Sequence, residues 1–282
     1  GEPTDIPFDS AGFLDEAPED RGEDVRRDIC LTLEQMGISP VSSQHKHGPG
    51  QNEITFVHGD PLRAAEDFLT FRSAVKAVAA RSGLFASFMP KPLPEQPGSG
   101  LHISLSLSAG GKNLFSEPGI AESFCAGILD RIREMTLFLN PTANSYSRFG
   151  IHEAPKALSW SRTERTHLVR IPRVTDPETA RVEVRSPDAA CNPCFAFALL
   201  LAAGLEGVRE KASPGPEGTA RQGGSLPADL GEAIHAARGS DFLRSVLPEQ
   251  VLNAYLEAKA GEWDRFCADR GRYEDEICFR GL

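Results

Sequence analysis

Three short segments each carry a side chain able to ligate a metal on the polar face of an alternating pattern: Glu53 in 53–57, His102 in 102–108 and Glu183 in 181–185. Hard divalent cations prefer carboxylate oxygens, and an added imidazole suits Mg2+ or Mn2+ beside a nucleotide phosphate. Six arginines accompany them, Arg148, Arg162, Arg165, Arg170, Arg181 and Arg185. Guanidinium forks are the preferred partners of carboxylates and phosphates. Carboxylates and histidine for metal, with arginines for anions, together point to phosphoryl chemistry on an acidic substrate. Taken singly, each of these residues reads better as a solvated charge on a strand; it is the joint pattern that points to the chemistry.

The elements that must position them follow from periodicity. Residues 1–22 are rich in Pro, Gly, Asp and Glu and read as an extended lead-in. A helix is expected over about 23–36, with Val25, Ile29, Leu33 and Met36 on one stripe and Gly37 as its stop. Pro61 opens a second helix running to about Ser82. Residues 85–89 can form a strand, and Pro90-Lys91-Pro92-Leu93-Pro94 makes a stiff connector to Gly98-Ser99-Gly100. From 102 to 108, His102, Ser104, Ser106 and Ser108 alternate with Ile103, Leu105 and Leu107, the pattern of a half-buried strand. Ala109-Gly110-Gly111-Lys112-Asn113 is a hairpin-type turn, with neither the glycine spacing nor the Ser/Thr of a phosphate loop.

A third amphipathic helix spans about 120–139, followed by a long irregular segment, 140–161, of the kind that is functional or disordered. Strands are expected at 165–171 and 181–185, and a buried helix at 195–208. Residues 212–227 read as a flexible loop, and the closing residues 228–282 as helices, at about 228–237 and 248–269.

The 282 residues are 40% hydrophobic and 25% charged, enough for one large domain or two modest ones. A formal net charge of −10 excludes nucleic acid and an anionic membrane surface as the main partner. No apolar run reaches membrane-spanning length and the first residues carry no signal-peptide pattern, so a cytoplasmic location is expected. Six dispersed cysteines argue for reduced thiols. Cys191-Asn192-Pro193-Cys194 spells C-x-x-C without a second pair or a preceding strand, and both thiols are expected to be buried and structural.

Nine motifs, in order, resemble the C-terminal catalytic domain of glutamine synthetases over nearly the whole chain. They are Glu23-Asp24-Val25-Arg26-Arg27-Asp28-Ile29, Pro49-Gly50-Gln51-Asn52-Glu53, Phe88-Met89-Pro90-Lys91-Pro92, Gly98-Ser99-Gly100-Leu101-His102 and Asn140-Pro141-Thr142-Ala143-Asn144-Ser145-Tyr146. Glu153-Ala154-Pro155, Arg170-Ile171-Pro172, Val182-Glu183-Val184-Arg185-Ser186-Pro187-Asp188 and Asn192-Pro193 complete them. The resemblance implies an α+β fold over 1–282, a curved antiparallel β-sheet with flanking helices (guanido kinase-like), without the family's N-terminal domain. It implies an ATP-dependent ligase using Mg2+ or Mn2+, in which glutamate is phosphorylated on its side chain and ammonia or another amine displaces phosphate from γ-glutamyl phosphate. The family's enzymes are homo-oligomeric rings.

Position by position, the resemblance implies Glu53, His102 and Glu183 as metal ligands, and Arg148, Arg165 and Arg185 on the substrate carboxylate and transferring phosphate. Glu153 matches the flap carboxylate that helps deprotonate ammonium. Ser104, Ser106 and Arg170 fall at the nucleotide, and Gly98 and Gly100 shape the loop that receives the amino acid. The chain also departs from the pattern. His45-Lys46 stands where the family has His-Glu, and an ammonium cannot ligate a metal. Ser104 replaces a second histidine, Pro97 an asparagine, and Glu164-Arg165 an Asn-Arg pair. The loop between Arg148 and Glu153 is one residue short, and no Glu-x-Glu metal strand occurs. Two alternatives stay open: a relative that keeps the sheet as a binding or structural protein, and a ligase of γ-glutamyl polyamine type.

Overall fold

Arg26, Ile29 and Leu33 fall on one face of helix α1, Glu23–Gln35, and that face is buried. In the computed structural model, residues 4–221 and 224–282 are described; the first residues of the lead-in, 1–3, and positions 222–223 of the 212–227 segment lie outside them. The chain forms two compact units, 1–99 with 275–282, and 100–274.

In the first unit, β1 (Pro40–His45) and β2 (Asn52–Phe56) pair antiparallel, with a bulge between Pro40 and Ser42. Helix α2, Pro61–Arg81, starts on Asp60, whose side chain accepts from the Leu62 amide, with proline at the first turn where no N–H is needed. Ile29, Leu33, Ile38, Ala74 and Val78 make the core, flanked by Val25, Ile54, Phe56, Phe71 and Val75. Each buried aliphatic side chain contributes roughly 1.5–3 kcal/mol.

The lead-in is anchored through buried polar groups. Asp9 Oδ1 accepts from the Gly50 amide at 2.8 Å and lies 3.1 Å from Nε2 of the fully buried His45. Asp20 takes both Arg26 terminal nitrogens, at 3.0 and 2.7 Å. Burial alone would raise the Asp20 carboxyl, but the bonds from Arg26 and Gly22 and the Arg26 charge hold it below the usual range. The strand expected at 85–89 is absent: the Met89 amide bonds Ser87 Oγ, which donates to the Phe279 carbonyl, so side-chain bonds replace a ladder.

In the second unit, β3 (Ile103–Leu105) is followed by the hairpin strands β4 (Ser108–Ala109) and β5 (Lys112–Asn113), then α3, Ile120–Leu139. Strands β6 (Trp160–Ser161), β7 (Val169–Arg170) and β8 (Val182–Val184) join β3 in a four-stranded sheet of order β3-β8-β7-β6. β3/β8 and β7/β8 are antiparallel and β6/β7 parallel. The long strand expected over 102–108 therefore stops at Leu105, because its partner β8 is only three residues long and the glycine turn recruits Ser108 into the hairpin. The strands expected at 165–171 and 181–185 shorten likewise.

Helix α4, Pro193–Glu210, is capped by Asn192, whose side chain accepts from the Cys194 amide. It crosses α3 so closely that a Cβ on Gly127 would lie 2.1 Å from the Ala203 carbonyl oxygen. Cys191 is buried, as expected, whereas Cys194 at the first turn is exposed. Helices α5 (Leu230–Arg238), α6 (Asp241–Val246), α7 (Glu249–Ala268) and the short α8 (Arg270–Tyr273) close this unit. Tyr255 of α7 stacks on Phe138 at 4.4 Å.

The 212–227 segment is tied down at its described positions. Backbone bonds join Gly218 to Trp160, Arg221 to Leu158 and Leu226 to Lys156, where a flexible loop was expected. Among the described residues, no helix is long and apolar enough to cross a membrane.

Candidate active site

Sheet register in the second unit aligns three expected site residues. Ser104 on β3 opposes Glu183 on β8, and Glu183 opposes Arg170 on β7. Directly opposed residues share one face at about 5 Å between Cβ atoms. The other face pairs Ile103 with Val184, Leu105 with Val182 and Val169 with Val184. All three β8 residues are buried, so the alternation of 181–185 does not mark a solvated polar face.

Glu183 is 7% exposed and is the hub. Its Oε1 accepts from Arg185 Nη1 at 2.6 Å and lies 3.5 Å from His102 Nδ1, and its Oε2 accepts from Arg170 Nη1 at 3.2 Å. Burial by itself would raise this carboxyl. The charges of His102, Arg185 and Arg170 and the bond from Arg185 outweigh burial and hold it below the usual carboxylate range. His102 stands just before β3 with its side chain 35% exposed.

Arg185 is 2% exposed. Its Nε donates to the Arg165 carbonyl at 2.8 Å. Its Nη2 is buried without a hydrogen-bond acceptor, 3.5 Å from Glu153 Oε2. A guanidinium nitrogen in that state is a built donor for an anion. Glu153 sits on a tight loop in which Gly150 takes φ +79° and His152 φ +52°, and the Gly150 amide donates to the Ala154 carbonyl at 2.9 Å. A non-glycine residue in that region is costly, and such positions cluster at sites where geometry matters. The Arg165 side chain is exposed and forms no ion pair among the described residues.

Arg148 ends a 3-10 helix, Ala143–Arg148, which opens on a reciprocal cap between Thr142 and Ser145. The segment expected to be irregular over 140–161 is thus folded and largely buried from 140 to 149. Arg148 is 3% exposed. Its Nη1 donates to the Ser186 carbonyl at 3.1 Å, and Asp188 Oδ2 is 3.7 Å away. Burial lowers the Arg148 pKa and raises that of Asp188 in spite of their attraction. A Cβ on Gly100 would lie 2.7 Å from Arg148 Nη2, so any side chain there would force this buried guanidinium to shift. Sequence reasoning missed Asp188 and Asn140, which bond at 2.9 Å beneath Arg148; the pairing of Asn140-Pro141 with Ser186-Pro187-Asp188 was their signal. Arg162 and Arg181 line a separate cavity of about 490 Å³ with Phe115, Ile171 and Arg173.

Gly98 and Glu53 belong to the first unit. The Gly98 carbonyl accepts from Gln51 Nε2 at 3.0 Å. Glu53 Oε1 accepts from Gln44 Nε2 at 2.8 Å, and its Oε2 lies 3.5 Å from Lys46 Nζ. Ser104 and Ser106 are exposed.

The three expected metal ligands therefore differ in fit. Two atoms on one ion with bonds of about 2.1 Å lie about 3.0–3.4 Å apart. His102 Nδ1 and Glu183 Oε1 come closest to it, 3.5 Å apart, although both Glu183 oxygens also accept from Arg185 and Arg170. Glu53 converges with an ammonium instead. Among the described residues, one group of three or more potential ligands gathers, Asp9, Asp20 and His45 in the first unit, and sequence reasoning did not single it out. There Asp20 is already claimed by both Arg26 nitrogens.

Residues 2–277 match the family model for the glutamine synthetase catalytic domain. The chain belongs to the glutamine synthetase family. It is 44% identical to the glutamine synthetase of Methanosarcina mazei over 288 aligned positions, covering 95% of this chain and 64% of that protein. The glutamine synthetase of Mycolicibacterium smegmatis is 40% identical, covering 95% of this chain and 65% of that protein. The chain thus spans just under two thirds of the length of these relatives. A solved GmaS/ADP complex superposes with a TM-score of 0.84 at 31% identity, covering 94% of this chain and 66% of that one. The expected α+β fold of glutamine synthetase type is the fold observed.

Proposed function

We propose that this chain is the catalytic portion of an ATP-dependent carbon–nitrogen ligase that activates glutamate, or a related acid, as an acyl phosphate and transfers it to ammonia or an amine. The observation that carries this reading is the buried Arg185, whose Nη2 is left without an acceptor beside Glu183 and Glu153. Phosphorylating a carboxylate brings two anions together, and fixed positive charge in a dry site offsets that repulsion.

In this reading His102 and Glu183 hold Mg2+ or Mn2+, which supplies charge neutralisation at the phosphates when bound. Arg185 donates through Nη2 to the oxygens of the transferring phosphoryl group, and Glu183 fixes its orientation through Nη1. Arg170 joins from the neighbouring strand on the nucleotide side, with Ser104 and Ser106 as hydroxyl donors. Arg165 takes the acid's carboxylate, and the buried Arg148 supports the Gly100 backbone over which the amino acid lies. Glu153 accepts the proton of the incoming ammonium, with Arg185 holding its carboxylate over the site. Gly98 shapes the approach to Gly100. A homo-oligomeric ring is proposed for the whole protein.

The test is phosphate release from ATP by the protein carrying this chain, given Mg2+ or Mn2+, glutamate and ammonium. Release should require both acid and amine, and R185Q or E183Q should lower it at least about 100-fold, the scale of losing one transition-state donor. Product mass then reads the amine: glutamine for ammonia, a heavier γ-glutamyl amide for a polyamine. No release with any acid and amine offered would overturn the proposal and leave a binding or structural member of the family, the reading that Lys46 favours.

A further inference from the structure

Glu53 lies on β2 directly opposite Gln44, and the two side chains bond at 2.8 Å. Its other oxygen faces Lys46 Nζ at 3.5 Å. The Lys46 ammonium is placed from several sides. It lies 5.0 Å from the centroid of the Phe13 ring, and Phe13 is itself stacked on His47 at 4.5 Å. The Lys46 amide donates to the Gln51 carbonyl at 2.8 Å, and its own carbonyl lies 2.7 Å from Nδ1 of the fully buried His45. With its backbone held at both ends and its stem largely covered, Lys46 has little freedom to leave Glu53.

We propose that Lys46 is a tethered cation that takes the place of a divalent ion at Glu53, so that this carboxylate binds no metal and the chain's metal is held through His102 and Glu183 alone. A divalent ion at Glu53 would meet the lysine charge at close range, and an amide and an ammonium offer no second anionic ligand. Glu53 then acts as a fixed, charge-neutral structural element of the β1–β2 hairpin. The proposal rests on the ligase reading for the metal at His102.

The test is Mn2+ binding to the whole chain, followed by electron paramagnetic resonance. Wild type should bind Mn2+ in a manner that E53Q changes by less than about twofold. K46E, which replaces the ammonium by a carboxylate beside Glu53, should gain one additional Mn2+ per chain, and K46E/E53Q should lose it again. If K46E fails to fold by circular dichroism, K46Q is read instead and should gain Mn2+ affinity at least about threefold over wild type. Loss of wild-type binding in E53Q, or a folded K46E (or K46Q) with unchanged stoichiometry and affinity, would overturn the proposal. Mn2+ binding that H102A leaves intact sinks the ligase reading's metal site instead, because the Lys46 readout compares variants at Lys46 and Glu53 only.

Discussion

Removing Asp188 should expose how the site's floor is held. Arg148 and Asp188 are side chains of 3% and 0% exposure, 3.7 Å apart. At an effective dielectric of about 20 their attraction is about 4.5 kcal/mol. Burial nevertheless moves both groups toward their neutral forms, lowering the arginine and raising the carboxyl, so desolvation exceeds the attraction. Two consequences follow in opposite directions. D188A leaves the guanidinium buried without a counter-charge and strips Asn140 Nδ2 of an acceptor, which should cost about 3–5 kcal/mol. At about 2–4 °C per kcal/mol, the melting midpoint should fall by roughly 6–20 °C. The double variant R148M/D188L, which replaces the pair by apolar groups of similar size, should return to within about 1 kcal/mol of wild type or exceed it. Thermal unfolding of the four proteins of the cycle measures the coupling. A D188A midpoint within about 2 °C of wild type, or a double variant whose loss is the sum of the singles, would refute the reasoning.

Three further outcomes are expected. G100A places a Cβ 2.7 Å from Arg148 Nη2, on a guanidinium whose Nη1 is held by the Ser186 carbonyl, so it should destabilise by about 1–3 kcal/mol and raise KM for the acid more than it lowers kcat, read by steady-state kinetics. T142A removes the reciprocal cap on the 3-10 helix leading to Arg148 and should cost about 1 kcal/mol in denaturant unfolding. Asp20, held below its ordinary pKa, adds stability that is fully present above the unfolded carboxyl's pKa of about 3.9 and is lost as pH falls through its lower folded value. The melting midpoint of D20N should therefore fall less steeply on acidification than that of wild type.

Much of this was legible from periodicity. The stripes of α1, α2 and α3 set their extents to within a residue, helped at α1 and α2 by Gly37 and Pro61. The strands were over-long in the sequence because alternation reports a local preference, while pairing needs a partner of equal length. At 85–89 no strand partner exists among the described residues, and at 102–108 it runs out after three residues. The segment 140–161 looked irregular because its polar residues signal loop, yet Asn140, Thr142, Asn144 and Ser145 are buried and bonded to one another or to neighbouring chain. Helix α6, six residues long, is too short for periodicity to register. At the site, Glu183, His102, Arg170 and Arg185 could be named from residue type and family motif, but their convergence on one carboxylate is a product of register. The burial of Arg148 and the pairing of Glu53 with Lys46 depend on side-chain packing that spacing does not encode.

The row of Ser104, Glu183 and Arg170 has its mirror in the valines, isoleucine and leucine on the opposite face of the same three strands. Because side chains alternate with a period of two, sliding β8 by one residue would turn Val182 or Val184 into the polar row and drive Glu183 into the apolar layer. The hydrophobic face thus acts as an alignment gauge for the polar one. A chain that has packed its valines correctly has by the same step set Ser104, Glu183 and Arg170 in one row.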